Sequence, residues 1–281
     1  MSKFDKVYLD LCEEILSEGV YSQNRTGTPT YNVNGKHLKF NLSEEFPILT
    51  TKFVAFKHSV LEMLWIFQKA SNDVKWLQER GITIWDEWQI DGNGMYNGKN
   101  YGREFAGTIG TAYGYIINKY NLMQKAIDTI KNNPSDRRNI VNLFQYETLE
   151  GGTLPPCVYM HQWLVNEDKL DIIVYQRSCD VPLGFPFNVT QYAVLANLVA
   201  QVTGYKPGTM YWNIGSCHIY ENQIEGIKLQ LSRKSEAKPA PKLWINSEIS
   251  DFWAFDNSKE LKDIKLIGYE HLGKIAMPVS V

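Results

Sequence analysis

Apolar residues recur along this chain at two spacings, and the spacing changes from segment to segment. Phe4, Val7, Tyr8, Leu11 and Ile15 lie three and four apart and Gly19 supplies a stop, so the pattern predicts an amphipathic helix over residues 3–18. "NRTGTPTYNVNGKHLKFNL" alternates turn residues with short β-type runs and predicts a loop and a hairpin. "VAFKHSVLEMLWIFQKA" returns to helical spacing, with Leu61, Leu64, Trp65 and Gln68 on one face. The glycine-rich stretch 91–112 reads as a long loop, and Ile116, Tyr120, Met123, Ile127 and Ile130 predict a helix over 115–131 that stops at "NNPSD".

The middle of the chain is strand-like. "RNIVNLFQY", "CVYMHQWLV" and "KLDIIVYQ" are short β-rich runs joined by turn signals. "NVTQYAVLANLVAQVTG" then makes a long helix, apolar on nearly every side and therefore a core element, ending at Gly204. Strands resume with "TMYWNIGSCHIY" and "PKLWINS", and the chain closes on a tail, "GKIAMPVSV". No repeat, low-complexity segment or linker interrupts this order. Residues 1–281 therefore read as a single α+β domain, a mostly antiparallel sheet with helices packed on one side.

Composition narrows the function classes. The 281 residues are 44% hydrophobic and 13% aromatic, ample for a packed core. A formal net charge of −2 argues against nucleic acid or a membrane surface as partner, but leaves room for a small anion held by a local arginine cluster. No apolar run reaches the roughly 18 residues of a membrane span, and "MSKFDKVYLDL" is too charged for a signal peptide. Cys12, Cys157, Cys179 and Cys217 are scattered without a C-x-x-C pair. The expectation is a cytoplasmic protein with free thiols and no metal, since structural zinc sites place their cysteines in close pairs.

Several residue types point toward chemistry. Arg25 in "NRTGT", Arg137 and Arg138 in "SDRRN", and Arg177 in "QRSCD" all fall at element ends. Guanidinium forks beside hydroxyls suit a phosphate, although any single arginine is more often a surface ion pair. Glu62 sits between Leu61 and Met63; near an apolar boundary its pKa would rise toward neutrality, while periodicity alone favours a solvent-facing residue. Trp85 and Trp88 in "TIWDEWQ" offer platforms for planar rings or serve the core. Asp180, Gly184 and Asn188 lie along a turn feeding the long helix, and a rigidly held Asn188 could read an amide edge. His218 and Tyr220, two apart on a strand, share a face. Cys157 follows two prolines, which hold the chain extended without backbone N–H groups. It is either a buried inert thiol or, beside a guanidinium that lowers its pKa, a nucleophile. These residues alone suggest a thiolate enzyme acting on a phosphorylated planar compound.

"LPPC", "QRSCDVPLGFPFN", "GSCHIY", "TIWDEW", "NRTGT", "FPILTTK" and "DRRN", in this order and spacing, resemble the folate-dependent thymidylate synthases from about residue 3 to residue 281. The resemblance implies an α+β domain with a large twisted sheet, paired sheet to sheet in a homodimer with shared active sites. It implies methylation of dUMP to dTMP with 5,10-methylenetetrahydrofolate as carbon donor and reductant. By that resemblance Cys157 matches the nucleophile that adds to C6 of the uracil, Glu62 the residue assisting proton movements, and Tyr113 the tyrosine helping to abstract the C5 proton. Arg25, Arg177 and Ser178 match phosphate ligands, and Arg137 and Arg138 those supplied by the partner subunit. Asn188 matches the reader of the uracil edge, and His218 with Tyr220 the pair holding the deoxyribose hydroxyl. Asp180, Trp85, Leu183 and Gly184 match the folate-facing wall, and the tail ending in Val281 the segment closing over it.

Three positions depart from the family pattern. Val158 stands where many members have histidine, and Phe144-Gln145 replaces a more usual Trp-Asn. Ser216 stands where most synthases have aspartate, as in the related pyrimidine hydroxymethylases, which add water in place of hydride. A dUMP hydroxymethylase is therefore the alternative. The closing tail and Trp85 favour the synthase, because a dry site protects the intermediate from hydration, and Asn188 argues against a cytosine substrate, for which the related hydroxymethylases place aspartate there. A non-catalytic nucleotide- or RNA-binding protein that keeps the pocket is a further alternative.

Overall fold

A computed structural model describes residues 1–280; Val281, assigned above to the closing tail, lies outside the described residues. Helix α1 spans Lys3–Glu18, as the spacing predicts, and the Ser2 hydroxyl caps it by accepting from the Asp5 N–H. The Asp5 carboxylate is buried yet satisfied, accepting from the backbone N–H and hydroxyl groups of Thr50 and Thr51. This fixes the loop that carries Lys52.

Strands β1 (Val20–Ser22) and β2 (Thr30–Asn41) form the expected hairpin around the Arg25 loop. Helix α2 (Phe56–Met63) widens into a π-turn over Leu64–Gln68, every residue of which is buried. Short α3 (Val74–Gln78) follows, and the predicted loop 91–112 contains a two-residue ladder, β3 (Met95–Tyr96) with β4 (Lys99–Asn100). The single helix expected over 115–131 is two, α4 (Gly114–Tyr120) and α5 (Leu122–Asn132). Asn121 adopts the left-handed conformation at φ 51°, which asparagine tolerates and apolar periodicity does not register.

Then come β5 (Ile140–Asn142), α6 (Tyr146–Leu149), β6 (Val158–Asn166), β7 (Lys169–Asp180), α7 (Gly184–Thr203) and β8 (Lys206–Tyr220). Helix α8 (Ile224–Ser232) and the pair β9 (Lys242–Ile245) and β10 (Ile264–Ile267) complete the order. The main sheet runs β1-β2-β8-β7-β6-β5, antiparallel except for the parallel β7–β8 pair that α7 connects. Helix α7 packs against β7 and β8 on one side and α2 on the other, which explains its nearly all-round apolar sequence. One hydrophobic cluster joins α1, α2, α5, α7 and the inner face of the sheet. On the opposite face of the sheet stand Tyr159, Tyr175 and Tyr211, all half-buried. No helix among the described residues is long and apolar enough to cross a membrane.

Candidate active site

Cys157 immediately precedes β6, and its surroundings explain the two prolines before it. Pro155 and Pro156 precede the ladder, and both of their carbonyls accept from one side chain. Arg177 donates through Nε to the Pro156 carbonyl at 2.9 Å and through Nη2 to that of Pro155 at 2.8 Å. Its backbone N–H meets the Cys157 carbonyl at 2.9 Å, and Nη2 stands 3.8 Å from the Cys157 sulfur. On the other side, the Cys157 N–H donates to the Tyr113 hydroxyl at 3.2 Å. The β6–β7 register shifts between Val158 and Met160, a β-bulge directly after the thiol.

The charge expectation needs correction at this point. Burial pushes the Cys157 thiol above its ordinary value; the Arg177 and Arg25 guanidiniums pull it down and only partly offset that. The thiol therefore keeps its proton near neutral pH in the ligand-free chain, and the guanidiniums limit the cost of losing it.

Two cavities meet at this sulfur. The first, about 610 Å³, is polar and takes in Arg25, Arg177, Ser178, Ser216, His218 and Tyr220 beside Cys157. The second, about 350 Å³, is apolar, and Trp85, Trp88, Leu183 and Phe187 wall it around Glu62, Asp180 and Asn188. Leu154 and Cys157 belong to both. The Arg25 loop is stiffened by Asn24, whose side chain accepts from the Thr26 N–H and donates to the Thr28 carbonyl. Within the first cavity, the Ser216 hydroxyl lies 3.3 Å from His218 Nδ1, and the His218 and Tyr220 rings meet edge to face at 5.2 Å. Burial pushes the His218 imidazole down to about 4, so it is neutral.

Glu62 is 7% exposed, not solvent-facing as periodicity alone favours. Helix α2 buries four neighbours of Glu62 as well, so no polar face exists there. Burial pushes its carboxyl up to about 7, opposed by hydrogen bonds from Trp85 and Gln191. Indole N–H groups only donate, and this fixes the direction of a longer chain. Trp212 donates to Gln176 Oε1 at 2.9 Å, Gln176 Nε2 to Asn188 Oδ1 at 3.3 Å, and Asn188 Nδ2 to Gln191 Oε1 at 3.1 Å. Gln191 Nε2 then donates to Glu62. Asn188 is thus held with a defined amide orientation.

Tyr113 has φ 48° and ψ −108°, a strained backbone for a residue with a Cβ. The bend brings its hydroxyl to Cys157, and the following Gly114 allows it, because a Cβ there would stand 2.0 Å from the Ser71 carbonyl oxygen. Asp180 ends β7 and accepts from the Leu183 N–H and from Gln223, both at 3.1 Å. Burial raises its carboxyl despite those bonds and nearby Lys52. Leu183 and Gly184, at the start of α7, line the same apolar cavity.

Arg137 and Arg138 line neither cavity. They precede β5 at the sheet edge, where Arg138 pairs with Asp136 at 2.9 Å with its side chain 87% exposed. Four polar residues that line the site or bear on its lining residues escaped sequence reasoning: Gln191 in the apolar cavity, and Lys52, Gln176 and Gln223 behind it. Gln191 carried a usable signal, lying one turn after Asn188 in an otherwise apolar helix. Among the described residues no group of three or more His, Cys, Asp or Glu is placed to hold a metal.

The chain matches the family model described as Thymidylate synthase over residues 6–281. It is 49% identical to a thymidylate synthase of Clostridium beijerinckii over the full length of both chains. It is 41% identical to thymidylate synthase 1 of Bacillus subtilis, again over the whole of each. The solved structure of the thermostable thymidylate synthase A from Bacillus subtilis superposes with a TM-score of 0.88 at 39% identity, covering 99% of either chain.

Proposed function

The chain belongs to the thymidylate synthase family, and we propose from that premise that it converts dUMP to dTMP through a covalent bond from Cys157. The observation that carries the proposal is the meeting of a basic, polar cavity and an apolar, indole-walled cavity at one thiol. A nucleotide has a charged end and a flat end, and the reacting ring belongs at the junction.

In the polar cavity, Arg25, Arg177 and Ser178 hold the phosphate, while His218 and Tyr220 hold the deoxyribose hydroxyl. Arg137 and Arg138 reach the phosphate of the partner's site in a homodimer with shared active sites. The half-buried tyrosines on the outer face of the sheet suit burial against a second sheet. Asn188, its amide direction fixed, offers one acceptor and one donor to the uracil O4–N3 edge. Arg177 Nη2, 3.8 Å from the sulfur, stabilises the thiolate as it attacks C6, which makes C5 nucleophilic.

Methylenetetrahydrofolate, as cosubstrate, supplies the one-carbon unit and the hydride. The apolar cavity fits a flat heterocycle between Trp85, Leu183 and Gly184, with the Asp180 carboxylate as a polar anchor. Glu62, poised near neutrality and dry, moves protons through ordered water, and Tyr113 stays protonated beside Cys157 to direct a water toward C5. The free thiol that this chemistry needs persists in reducing conditions, which supports a cytoplasmic location.

Ser216 raised hydroxymethylation as the alternative. The relatives named above are thymidylate synthases along their full length, which favours hydride over water as the last addition. Mass analysis of the nucleotide formed from dUMP and methylenetetrahydrofolate tests the choice. A gain of one methyl group with rising dihydrofolate absorbance supports the synthase; 5-hydroxymethyl-dUMP with tetrahydrofolate overturns it.

A further inference from the structure

Gln223 is fully buried and belongs to neither cavity, yet one amide group touches three segments that line them. Its Oε1 accepts from the Tyr220 N–H at 3.2 Å, at the end of β8. Its Nε2 donates to Asp180 Oδ2 and to the Pro278 carbonyl, both at 3.1 Å. Asn222 beside it donates to the Ser280 hydroxyl at 3.4 Å, and Val279 lines the apolar cavity. One turn on, Gly226 leaves the room in which the tail lies: a Cβ there would stand 3.0 Å from Met277. The tail thus docks on α8 and shares a donor with Asp180. If the tail leaves, Gln223 Nε2 loses one of its two acceptors, and its buried amide is then held by Tyr220 and Asp180 alone, with one N–H unpaired.

We propose that Gln223 is a positioning residue that makes docking of the C-terminal tail and orientation of the Asp180 carboxylate a single event. The proposal rests on the assignment of Asp180 to the folate-facing wall. Folate then meets an oriented carboxylate only when the tail is in place, so a closed site and a competent anchor come together.

Gln223→Glu tests this with little change of shape. The variant keeps the acceptor for Tyr220 and loses both donors. Two readouts apply: amide hydrogen exchange of the tail, residues 273–281, in the ligand-free chain, and affinity for dihydrofolate in the presence of dUMP. At pH 8 we expect tail exchange to rise at least about fivefold and dihydrofolate affinity to fall about tenfold, as for one hydrogen bond to a charged group. Affinity for dUMP alone stays within about twofold, which shows the fold intact. In a chain ending at Met277, Gln223→Glu changes dihydrofolate affinity by less than about twofold further, because the two perturbations act through one link.

Tail exchange that stays unchanged in the variant, or losses that multiply in the shortened chain, overturns the proposal. Should Gln223→Glu not fold, Gln223→Met carries the same two measurements. A failure of the Asp180 assignment has a separate signature: dihydrofolate affinity indifferent to Asp180→Ala, with tail exchange still responding to Gln223→Glu.

Discussion

Replacing Gln191 with leucine should move the titration of Glu62 upward by about one pH unit. The Glu62 carboxyl stands at about 7 because burial disfavours its charged form, and two donors, Trp85 and Gln191, hold it back from rising further. A hydrogen bond to a charged group contributes about 1.5–3 kcal/mol. A protonated carboxyl still accepts weakly, so roughly half of that, about 1.4 kcal/mol, separates the two protonation states, which is one pH unit. Leucine is of similar size, so α7 keeps its packing; the substitution removes the donor to Glu62 and the acceptor for Asn188 Nδ2, and only the first touches the Glu62 carboxyl. Carboxyl-selective infrared or ¹³C measurements on the ligand-free chain follow the titration directly. The limb of the kcat/KM profile that reports Glu62 should move in the same direction. At pH 7 the ionised fraction falls from about half to about a tenth. A midpoint that stays in place, or moves down, refutes the account of how Glu62 is tuned.

Cys157→Ser should abolish turnover while dUMP binding stays within about tenfold, since a hydroxyl is a far weaker nucleophile in an otherwise intact cavity; a turnover assay with isothermal titration decides it, and full activity contradicts the covalent route. Mixing inactive Cys157→Ser protein with inactive Arg137→Ala protein should restore up to about a quarter of full activity. Half of the dimers are then hybrid and one site in each is whole; no recovery after subunit exchange refutes the shared site. His161 is fully buried among Phe67, Trp163 and Tyr192, with neither ring nitrogen hydrogen-bonded, and burial pushes it down to about 3. The unfolded chain binds that proton near 6.5, so stability is present above this value and is lost as pH falls below it. Urea unfolding should show about 2 kcal/mol less stability at pH 5 than at pH 7 from this residue. His161→Phe should flatten that difference, and an unchanged slope would refute it.

The legible parts of the fold were those set by local periodicity. Helix α1 and the end of α7 at Gly204 fall where spacing and glycine put them, because each buries one stripe or a whole surface over several turns. The break at Asn121 and the π-turn after Met63 were not legible. Both are backbone choices that leave the apolar spacing nearly unchanged, and neighbouring elements decide them. Sheet order was beyond reach for a related reason: β2 pairs with β8, nearly two hundred residues away, through a register that no local pattern encodes.

The candidate site was legible in its residue types and opaque in its electrostatics. Arginines, hydroxyls and a thiol after two prolines can be read from a string of letters, and the motif resemblance gave them places. The sign of the Cys157 shift cannot be read that way, because it is a difference between burial and charge that depends on depth. The same limit hid the glutamines. An isolated Gln176, Gln191 or Gln223 looks like ordinary polar filling until its partners are known. Yet each is a donor and an acceptor on one rigid group, so a buried glutamine transmits direction along a chain of hydrogen bonds. Trp212 at one end and Trp85 at the other can only donate, so the two indoles leave Gln176, Asn188 and Gln191 a single self-consistent arrangement. That arrangement ties the Asn188 amide to the Glu62 carboxyl. A change made at either end of the chain is therefore felt at Asn188, which α7 holds against Gln176 of β7.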